Sequence, residues 1–273
     1  MNLNTSEPDK TKLPVIFFGH GSPMNGVEKN EFSNTWQLLG ESLPRPKAII
    51  CISAHWETKG IAITSMPLPK TIHDFGGFPK KLYDVEYPAP GSFPLSNEII
   101  NAISNYKIRA DVNWGLDHGC WSILRRMYPL ADIPVLQISL NMNKTPAYHY
   151  EFAKELKFLR EKDILIIASG NIVHNLRKID WNNGKGSDWA IKANKILKDL
   201  IIANNHTALM EYTNLGPDVQ EAIPTPEHFL PLLYALALKQ KGENITFFND
   251  KLVMGSLSMT SIIVSKSTYL NAV

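Results

Sequence analysis

The chain has 273 residues, of which 44% are hydrophobic and 20% are charged, and its formal net charge is +2. This composition is ordinary for a globular protein and favours one large domain. The balanced charge and the lack of a Lys/Arg cluster argue against nucleic-acid binding, so we expect a small-molecule partner. The longest apolar run, near Leu230 to Leu238, contains Pro231 and is too short to cross a membrane.

The amino terminus and the cysteines bear on the cellular compartment. Residues 1–13 lack the apolar core of a signal peptide and are predicted to be disordered or extended, which leaves 14–273 as one domain. Cys51 and Cys120 have neither metal-ligand nor redox spacing. We therefore expect a cytoplasmic protein that is a monomer or a small homo-oligomer.

Short apolar runs alternate with amphipathic stretches along the chain, which is the pattern of strands interleaved with helices. In chain order the pattern predicts strand Val15–Phe18, helix Phe32–Leu43, strands Ala48–Ser53 and Ile61–Thr64, helices Leu95–Ser104 and Trp121–Tyr128, strand Val135–Ser139, helix Ala147–Arg160, strand Ile164–Ser169, helices Trp189–Ala203 and Pro226–Lys239, and strand Ser261–Ser265. Together these elements indicate an α/β fold.

The segment from Met66 to Pro94 is the exception, because it carries six prolines together with Gly76, Gly77 and Gly91. A loop of this length inside a compact domain is usually functional. We therefore predict that it forms part of a binding-site wall. His73 lies within it, and the sequence does not decide between a structural and a functional role for that residue.

Three histidines follow predicted core strands at turns of small residues. His20 comes directly after the first strand, His55 follows the second, and His174 lies shortly after the strand that ends at Ser169. A lone histidine in such a place is more often a structural residue than a ligand. Because the carboxyl ends of parallel strands meet at one edge of a sheet, however, these three imidazoles should converge there.

His228 reaches the same edge by another route. Thr225 is a good N-cap and Pro226 suits the first helical position, so His228 should lie in the first turn of a helix. The helix dipole would then disfavour its protonation. Imidazoles that converge from separate elements are what a mononuclear metal site needs. His149 and His206 lack this context and are interpreted as surface residues.

His118 lies in WGLDHGCW, between Asp117 and a glycine. It is either an acid–base group that faces a planar substrate against Trp114 or Trp121, or an incidental member of a segment that Asp117 caps. The residues by themselves leave both readings open.

Eight short motifs carry a resemblance to a known family. They read GHGSPMN, SAHWET, TIHDFGGFP, YPAPG, WGLDHGCW, ASGNIVHNL, PTPEHFLPLLYALA and MGSLSM. In this order, from about Pro14 to about Val264, they resemble the class III extradiol ring-cleavage dioxygenases of the LigB superfamily, and most of all the 4,5-DOPA dioxygenase extradiol group. The resemblance implies a single α/β domain with a central mixed sheet flanked by helices and a metal site at one edge of the sheet.

The resemblance also implies roles for individual histidines. His20, His55 and His228 match the positions that bind the metal. His174 matches the histidine that takes a proton from the catechol and that can itself lie on the metal when no substrate is bound. His118 matches an active-site histidine that steers the substrate.

The implied reaction opens the ring of a DOPA-like catechol with O₂ to a muconic semialdehyde. It needs one divalent metal per chain. Dioxygenase activity requires Fe(II), and the isolated protein could also take up Zn(II). Better-studied members complete the ligand set with a glutamate, and PTPEH offers both Glu227 and His228. Two other functions stay open. One is a zinc-dependent hydrolase with Glu227 as base, and the other is a non-catalytic binding or signalling module on the same scaffold.

Overall fold

The buried apolar runs of the sequence form the middle of a mixed β-sheet in the computed structural model, which describes residues 12–270. The strands are β1 Val15–Gly19, β2 Ala48–Thr58, β3 Ile61–Thr64, β4 Lys70–Thr71, β5 Ile108–Asp111, β6 Gly115–Leu116, β7 Val135–Asn141, β8 Ile164–Gly170, β9 Asn244–Phe248, β10 Leu252–Val253, β11 Leu257–Ser258 and β12 Ser261–Ser265.

Eight strands make the main sheet, in the order β5-β3-β7-β2-β8-β1-β12-β9. The four central strands, β7, β2, β8 and β1, run parallel to one another. Antiparallel pairs join β3 to β7, β1 to β12 and β12 to β9, so the sheet is mixed. The parallel centre brings the carboxyl ends of β1, β2 and β8 to one edge, which is where the sequence places its histidines.

Helices cover both faces of the sheet. They are α1 Glu31–Ser42, α2 Lys80–Tyr83, α3 Phe93–Ala102, α4 His118–Met127, α5 Pro146–Glu155, α6 Asp188–Ile202, α7 His206–Met210, α8 Pro217–Ala222 and α9 Leu230–Ala237. Val15 and Phe17 of β1 join the core under α5, α6 and α9, whereas Ile16 and Phe18 join the core under α1 and α4. This alternation follows from the two-residue period of a strand whose faces are both covered. The predicted α/β domain with a central mixed sheet is therefore confirmed.

Several boundaries differ from the prediction. The edge strands β5 and β9 were not predicted, because exposed side chains interrupt them and their apolar runs are short. His149 was predicted to lie on the surface and is instead fully buried, with Nδ1 2.9 Å from the hydroxyl of Tyr234 and Nε2 3.2 Å from the carbonyl oxygen of Asn141. His206 is partly buried, with Nδ1 2.7 Å from the hydroxyl of Tyr150.

Of the predicted amino-terminal segment 1–13, residues 1–11 lie outside the described residues. Residues 271–273 also lie outside them. Leu13 is buried, and its carbonyl oxygen accepts a hydrogen bond from the guanidinium of Arg160 at 3.1 Å. Within residues 12–270, no helix has the length and apolar character needed to cross a membrane.

Candidate metal centre

His20 lies directly after β1, at the edge where the central strands end. Its backbone N–H donates to the carbonyl oxygen of Gly170 at 3.0 Å, which continues the parallel pairing of β1 with β8. Gly19 has no space for a side chain, because a Cβ there would lie 2.6 Å from the backbone of Met259. The glycine before His20 is therefore required by close backbone approach, and His20 itself is buried.

His55 lies inside β2, so the predicted end of that strand at Ser53 is wrong by five residues. The pairing of β2 with β7 shifts its register between Ile52 and Glu57. Irregularities of this kind re-aim side chains near the ends of a ladder. His55 occupies the irregular stretch, and it still reaches the predicted edge of the sheet.

His228 lies in a turn before α9, because the helix begins at Leu230 and not near Pro226. The backbone N–H groups of Phe229 and Leu230 both donate to the carbonyl oxygen of Pro226 at 2.9 Å and close that turn. The predicted placement of His228 in the first turn of a helix is therefore wrong. The carbonyl oxygen of His228 accepts from the N–H of Asn171 at 2.8 Å, which ties the turn to the end of β8.

His20, His55 and His228 form one group. Each offers a ring nitrogen, and these nitrogens lie within 4.8 Å of one another. The Nε2 atoms of His20 and His55 are 3.1 Å apart, and the ring of His228 lies 5.4 and 5.0 Å from theirs between centroids. The structure therefore brings together the three residues that the sequence assigns as metal ligands.

Ser169 fixes the ring proton of His20. The Ser169 hydroxyl donates to the carbonyl oxygen of Gly119 at 2.6 Å, and its oxygen lies 2.9 Å from Nδ1 of His20. Because the single hydroxyl proton is used on the carbonyl, Nδ1 must carry the ring proton. Nε2 of His20 then presents a lone pair to the other two histidines.

Carboxylates have the same effect on the other two rings. Glu227 Oε1 lies 3.1 Å from Nδ1 of His228, and Asp74 Oδ2 lies 3.2 Å from Nδ1 of His55. The Glu227–His228 contact is a hydrogen bond, whereas Asp74 and His55 make a close contact without hydrogen-bond geometry. A carboxylate oxygen that faces Nδ1 favours the proton on that nitrogen in both rings, so each Nε2 keeps a lone pair. Metal-binding histidines usually donate their second N–H to a carboxylate or carbonyl in this way.

The donor set fits one divalent metal ion. Lone pairs on the Nε2 atoms of His20 and His55 repel at 3.1 Å unless a cation accepts them. The Nε2 of His228 is buried and has no hydrogen-bond partner within residues 12–270. Three neutral imidazoles suit iron or zinc better than the hard cations that prefer oxygen ligands.

The same burial keeps the rings unprotonated. Burial first, and then repulsion from neighbouring imidazoles, lowers the pKa of His20, His55 and His228 well below the ordinary value. The pKa of Asp74 is raised by burial, but hydrogen bonding to His118 and the charges of the adjacent imidazoles outweigh this and lower it to about 2. The site thus has an ionised Asp74 behind the neutral ligand His55.

Glu227 stands behind His228. Its Oε1 accepts a hydrogen bond from the hydroxyl of Thr225 at 2.8 Å. The same oxygen faces Nδ1 of His228, which is not the ring nitrogen that faces the candidate metal. The His20–His55–His228 group forms without Glu227. The geometry therefore favours the histidine of PTPEH over its glutamate as the third ligand.

His174 lies beside this group. Its ring stacks on His228 at 3.5 Å between centroids with the planes 6° apart, and its ligand nitrogen belongs to a separate group with Glu227 and His228. Its backbone forms an isolated bridge with Leu257. Burial lowers the pKa of His174 to about 4. Its assignment as a base that can also bind metal stays a prediction.

His118 is the first residue of α4, where Asp117 is the N-cap. Its ring lies 3.9 Å from that of His55 and 5.6 Å from that of His20 between centroids. Nδ1 of His118 lies 3.0 Å from Asp74 Oδ1, which also accepts its backbone N–H at 2.9 Å. The capping of this helix by Asp117 is confirmed, and His118 adjoins the candidate ligands; its role as an acid–base group stays a prediction.

The aromatic faces near the site differ from expectation. Trp121 is fully buried and packs in the core, so it does not face a substrate. Trp114 stacks on Trp56 with the planes 3° apart. Phe75 lies 5.6 Å from His118 between ring centroids and is partly exposed. The accessible aromatic ring beside the histidines therefore belongs to Phe75.

Sequence reasoning missed Asp74 and Ser169. Asp74 belongs to the Pro/Gly-rich segment, and its contacts with His55 and His118 confirm that this segment reaches the cluster. The sequence feature that could have indicated Asp74 is its position in TIHDFGGFP, between a histidine and a Gly-Gly pair. For Ser169 the signal was a polar side chain at the last position of a buried predicted strand.

Comparison with known proteins identifies the class to which this fold and site belong. The chain belongs to the family described as the catalytic LigB subunit of aromatic ring-opening dioxygenase, whose model matches residues 16–260. That span contains His20, His55, His118, His174 and His228. The protein is thus a LigB-superfamily extradiol dioxygenase, an oxidoreductase.

Individual relatives agree with this assignment. The chain is 43% identical over 258 residues to the 4,5-DOPA dioxygenase extradiol of Escherichia coli K12, a match that covers 92% of this chain and 94% of that protein. It is 35% identical over 237 residues to the 4,5-DOPA dioxygenase extradiol of Beta vulgaris, covering 84% and 87%. A crystal structure of an uncharacterized protein from Escherichia coli K12 matches with a TM-score of 0.81 at 39% identity, covering 93% of this chain and all of the other.

Proposed function

We propose that this protein opens the ring of a DOPA-like catechol with O₂ to a muconic semialdehyde, using one Fe(II) held by His20, His55 and His228. The observation that supports it is the convergence of three Nε2 lone pairs, two of them on buried rings, each with a partner on Nδ1. The names of the relatives point to the substrate class. A cytoplasmic location and a monomeric or small oligomeric state are part of the same proposal.

Ferrous iron, when bound, supplies redox chemistry and open positions for both catechol oxygens and O₂, which zinc lacks because it has no redox chemistry. Three neutral ligands leave the full charge of the ion in place. That charge favours an anionic catechol, so a base is needed to remove a phenolic proton.

We assign this base to His174, which stacks on the ligand His228 yet stands outside the three-histidine group. A ring nitrogen of neutral His174 accepts the proton. Nδ1 of His118 faces Asp74, so Nε2 is the atom of His118 left to contact the substrate. Its lone pair first takes up a proton from the substrate side, and His118 can then return that proton late in the reaction. Phe75 offers an aromatic ring to the catechol ring.

The test is anaerobic reconstitution with Fe(II), followed by measurement of O₂ uptake and visible absorbance with L-DOPA and other substituted catechols. We expect one O₂ consumed per catechol and a new yellow chromophore, and no turnover after Zn(II) loading. His20→Ala and His55→Ala should lose the metal while staying folded.

His174→Ala should keep the metal and lose about 10²–10⁴-fold in turnover, as expected for loss of a general base. His206→Ala is the matched control, because His206 is partly buried on α7, away from the cluster, and its loss should leave turnover unchanged. Hydrolysis without O₂ uptake would support the zinc hydrolase instead. Catechol binding without turnover in the iron-loaded protein would support a binding module.

A further inference from the structure

Asp74 stands between two histidines of the site. Its Oδ2 lies 3.2 Å from Nδ1 of His55, and its Oδ1 lies 3.0 Å from Nδ1 of His118 while accepting the backbone N–H of His118 at 2.9 Å. The two rings are themselves 3.9 Å apart between centroids. One carboxylate therefore contacts a metal ligand with one oxygen and the acid–base residue with the other.

These contacts determine where the ring protons lie. A carboxylate has only acceptor lone pairs, so a close approach to Nδ1 is favourable only when Nδ1 carries a hydrogen. Asp74 thus selects the same tautomer in both rings, with the lone pair of each neutral imidazole on Nε2. For His55 this lone pair faces the candidate metal, and for His118 it is the atom left for the substrate.

The chain before Asp74 is firmly held. The N–H of Ile72 donates to the carbonyl oxygen of Leu116 at 2.7 Å, and the indole N–H of Trp121 donates to the carbonyl oxygen of Ile72 at 2.9 Å. Nε2 of His73 lies 2.9 Å from the carbonyl oxygen of Val85. The first two bonds anchor the segment to the residues that precede His118 and to α4, and the third joins two parts of the segment to each other.

After Asp74 the chain is open. A Cβ added at Gly76 or Gly77 would meet no atom within 4 Å, and both glycines are exposed. Asp74 is therefore near the last fixed position of the Pro/Gly-rich segment. Its carboxylate is placed by the anchored part of the loop and its placement does not depend on the exposed turn.

We infer that Asp74 is a positioning residue that couples the metal ligand His55 to His118, so that one side chain sets both the affinity of the metal site and the orientation of the acid–base group. The part that concerns His118 in turnover rests on the proposed function. The part that concerns the two tautomers and metal affinity does not. Glu227 supplies a comparison, because its Oε1 contacts Nδ1 of the ligand His228 and lies beside His174, without a contact to His118.

The first arm of the test uses the zinc-loaded protein and does not require activity. Imidazole ¹⁵N NMR at one fixed pH should show His55 and His118 as Nδ1–H tautomers, and Asp74→Ala should disturb both. Asp74→Asn should weaken zinc binding about 10- to 100-fold in a chelator competition, because one oxygen becomes an amide that cannot accept from Nδ1. Circular dichroism checks that each variant is folded.

The second arm is a kinetic double-mutant cycle in the iron-loaded protein. Asp74→Asn should lower kcat about 10²-fold in the wild-type background and cause little further loss in His118→Gln, because residues that act as a unit are not additive. Glu227→Gln should weaken zinc binding to a similar degree. In the double variant Glu227→Gln/His118→Gln, the fold losses in kcat of the two single variants should multiply.

Unchanged zinc affinity and unchanged tautomers in the Asp74 variants would overturn the inference, as would multiplicative losses for Asp74→Asn and His118→Gln. Loss of zinc from Asp74→Ala as complete as that from His55→Ala would also overturn it, since Asp74 would then be a ligand. If the wild type turns over no catechol, the proposed function fails while the NMR and zinc measurements still decide the role of Asp74.

Discussion

Substitution of Ser169 by alanine tests the chain of contacts that prepares His20 for a metal. The Ser169 hydroxyl is fully buried, donates to the carbonyl oxygen of Gly119 at 2.6 Å and lies 2.9 Å from Nδ1 of His20. Gly119 lies in the first turn of α4, so its carbonyl oxygen keeps an intrahelical hydrogen bond, and Ser169→Ala leaves only the buried Nδ1–H of His20 without a partner. One such group costs about 1–3 kcal/mol, so the free energy of unfolding should fall by about that amount.

The effect on metal binding is separate from this loss. Without Ser169 the ring proton of His20 is free to move to Nε2, and metal binding must then reverse that tautomer. Loss of such an outer contact typically weakens metal affinity 10- to 100-fold, or about 1.4–2.8 kcal/mol. Ser169→Thr keeps a hydroxyl and should retain more affinity than Ser169→Ala.

The assay is zinc competition on the apoprotein, with urea unfolding measured in parallel. Ser65→Ala is the matched control, because Ser65 is a buried serine whose hydroxyl lies 2.6 Å from that of Ser96. It should lose stability without losing zinc affinity. If Ser169→Ala binds zinc as tightly as the wild type, the proton assignment at His20 is wrong.

Two further predictions concern backbone approach and pH. Gly170→Ala would place a Cβ 2.1 Å from the carbonyl oxygen of His228. The free energy of unfolding should fall by about 1–3 kcal/mol, and the metal content and the melting temperature should fall with it. Gly76→Ala is the control: its Cβ meets open space, so neither quantity should change. Burial lowers the pKa of His149 to about 4, against about 6.5 unfolded, so its contribution to stability is full above pH 6.5 and is lost as the pH falls toward 4, by up to about 1.4 kcal/mol per pH unit. His149→Gln should make the urea midpoint depend less steeply on pH over that range, while the other buried histidines keep part of the dependence; parallel curves for variant and wild type would contradict the assignment.

Much of the architecture follows from local patterns. The central strands are runs of apolar residues buried on both faces, and such runs have a clear signal. The edge strand β9 has none, because Asn244–Phe248 alternates exposed and partly buried side chains. The extension of β2 to Thr58 was missed for a related reason, since an irregular pairing near His55 does not produce a regular period.

The candidate ligands could be predicted because each lies at a recognisable point of the chain. His20, His55 and His174 each follow a buried strand at a turn of small residues, and the PTPEH turn indicated His228; the motif resemblance then assigned their roles. The start of α9 could not be predicted from Thr225 and Pro226, because the turn before Leu230 is held by the end of β8 as well as by its own residues. Capping signals describe only the local chain.

The sequence by itself determined the α/β fold, the edge of the sheet at which the histidines gather and the family to which the chain belongs. These depend on local hydrophobic period and on motifs that are contiguous in the chain. Only the tertiary structure decided which groups hold the ring protons, since Ser169 lies 149 residues from His20 along the chain. It alone placed Asp74 between His55 and His118, because contacts among distant segments depend on how the strands and loops pack and leave no trace in local sequence period.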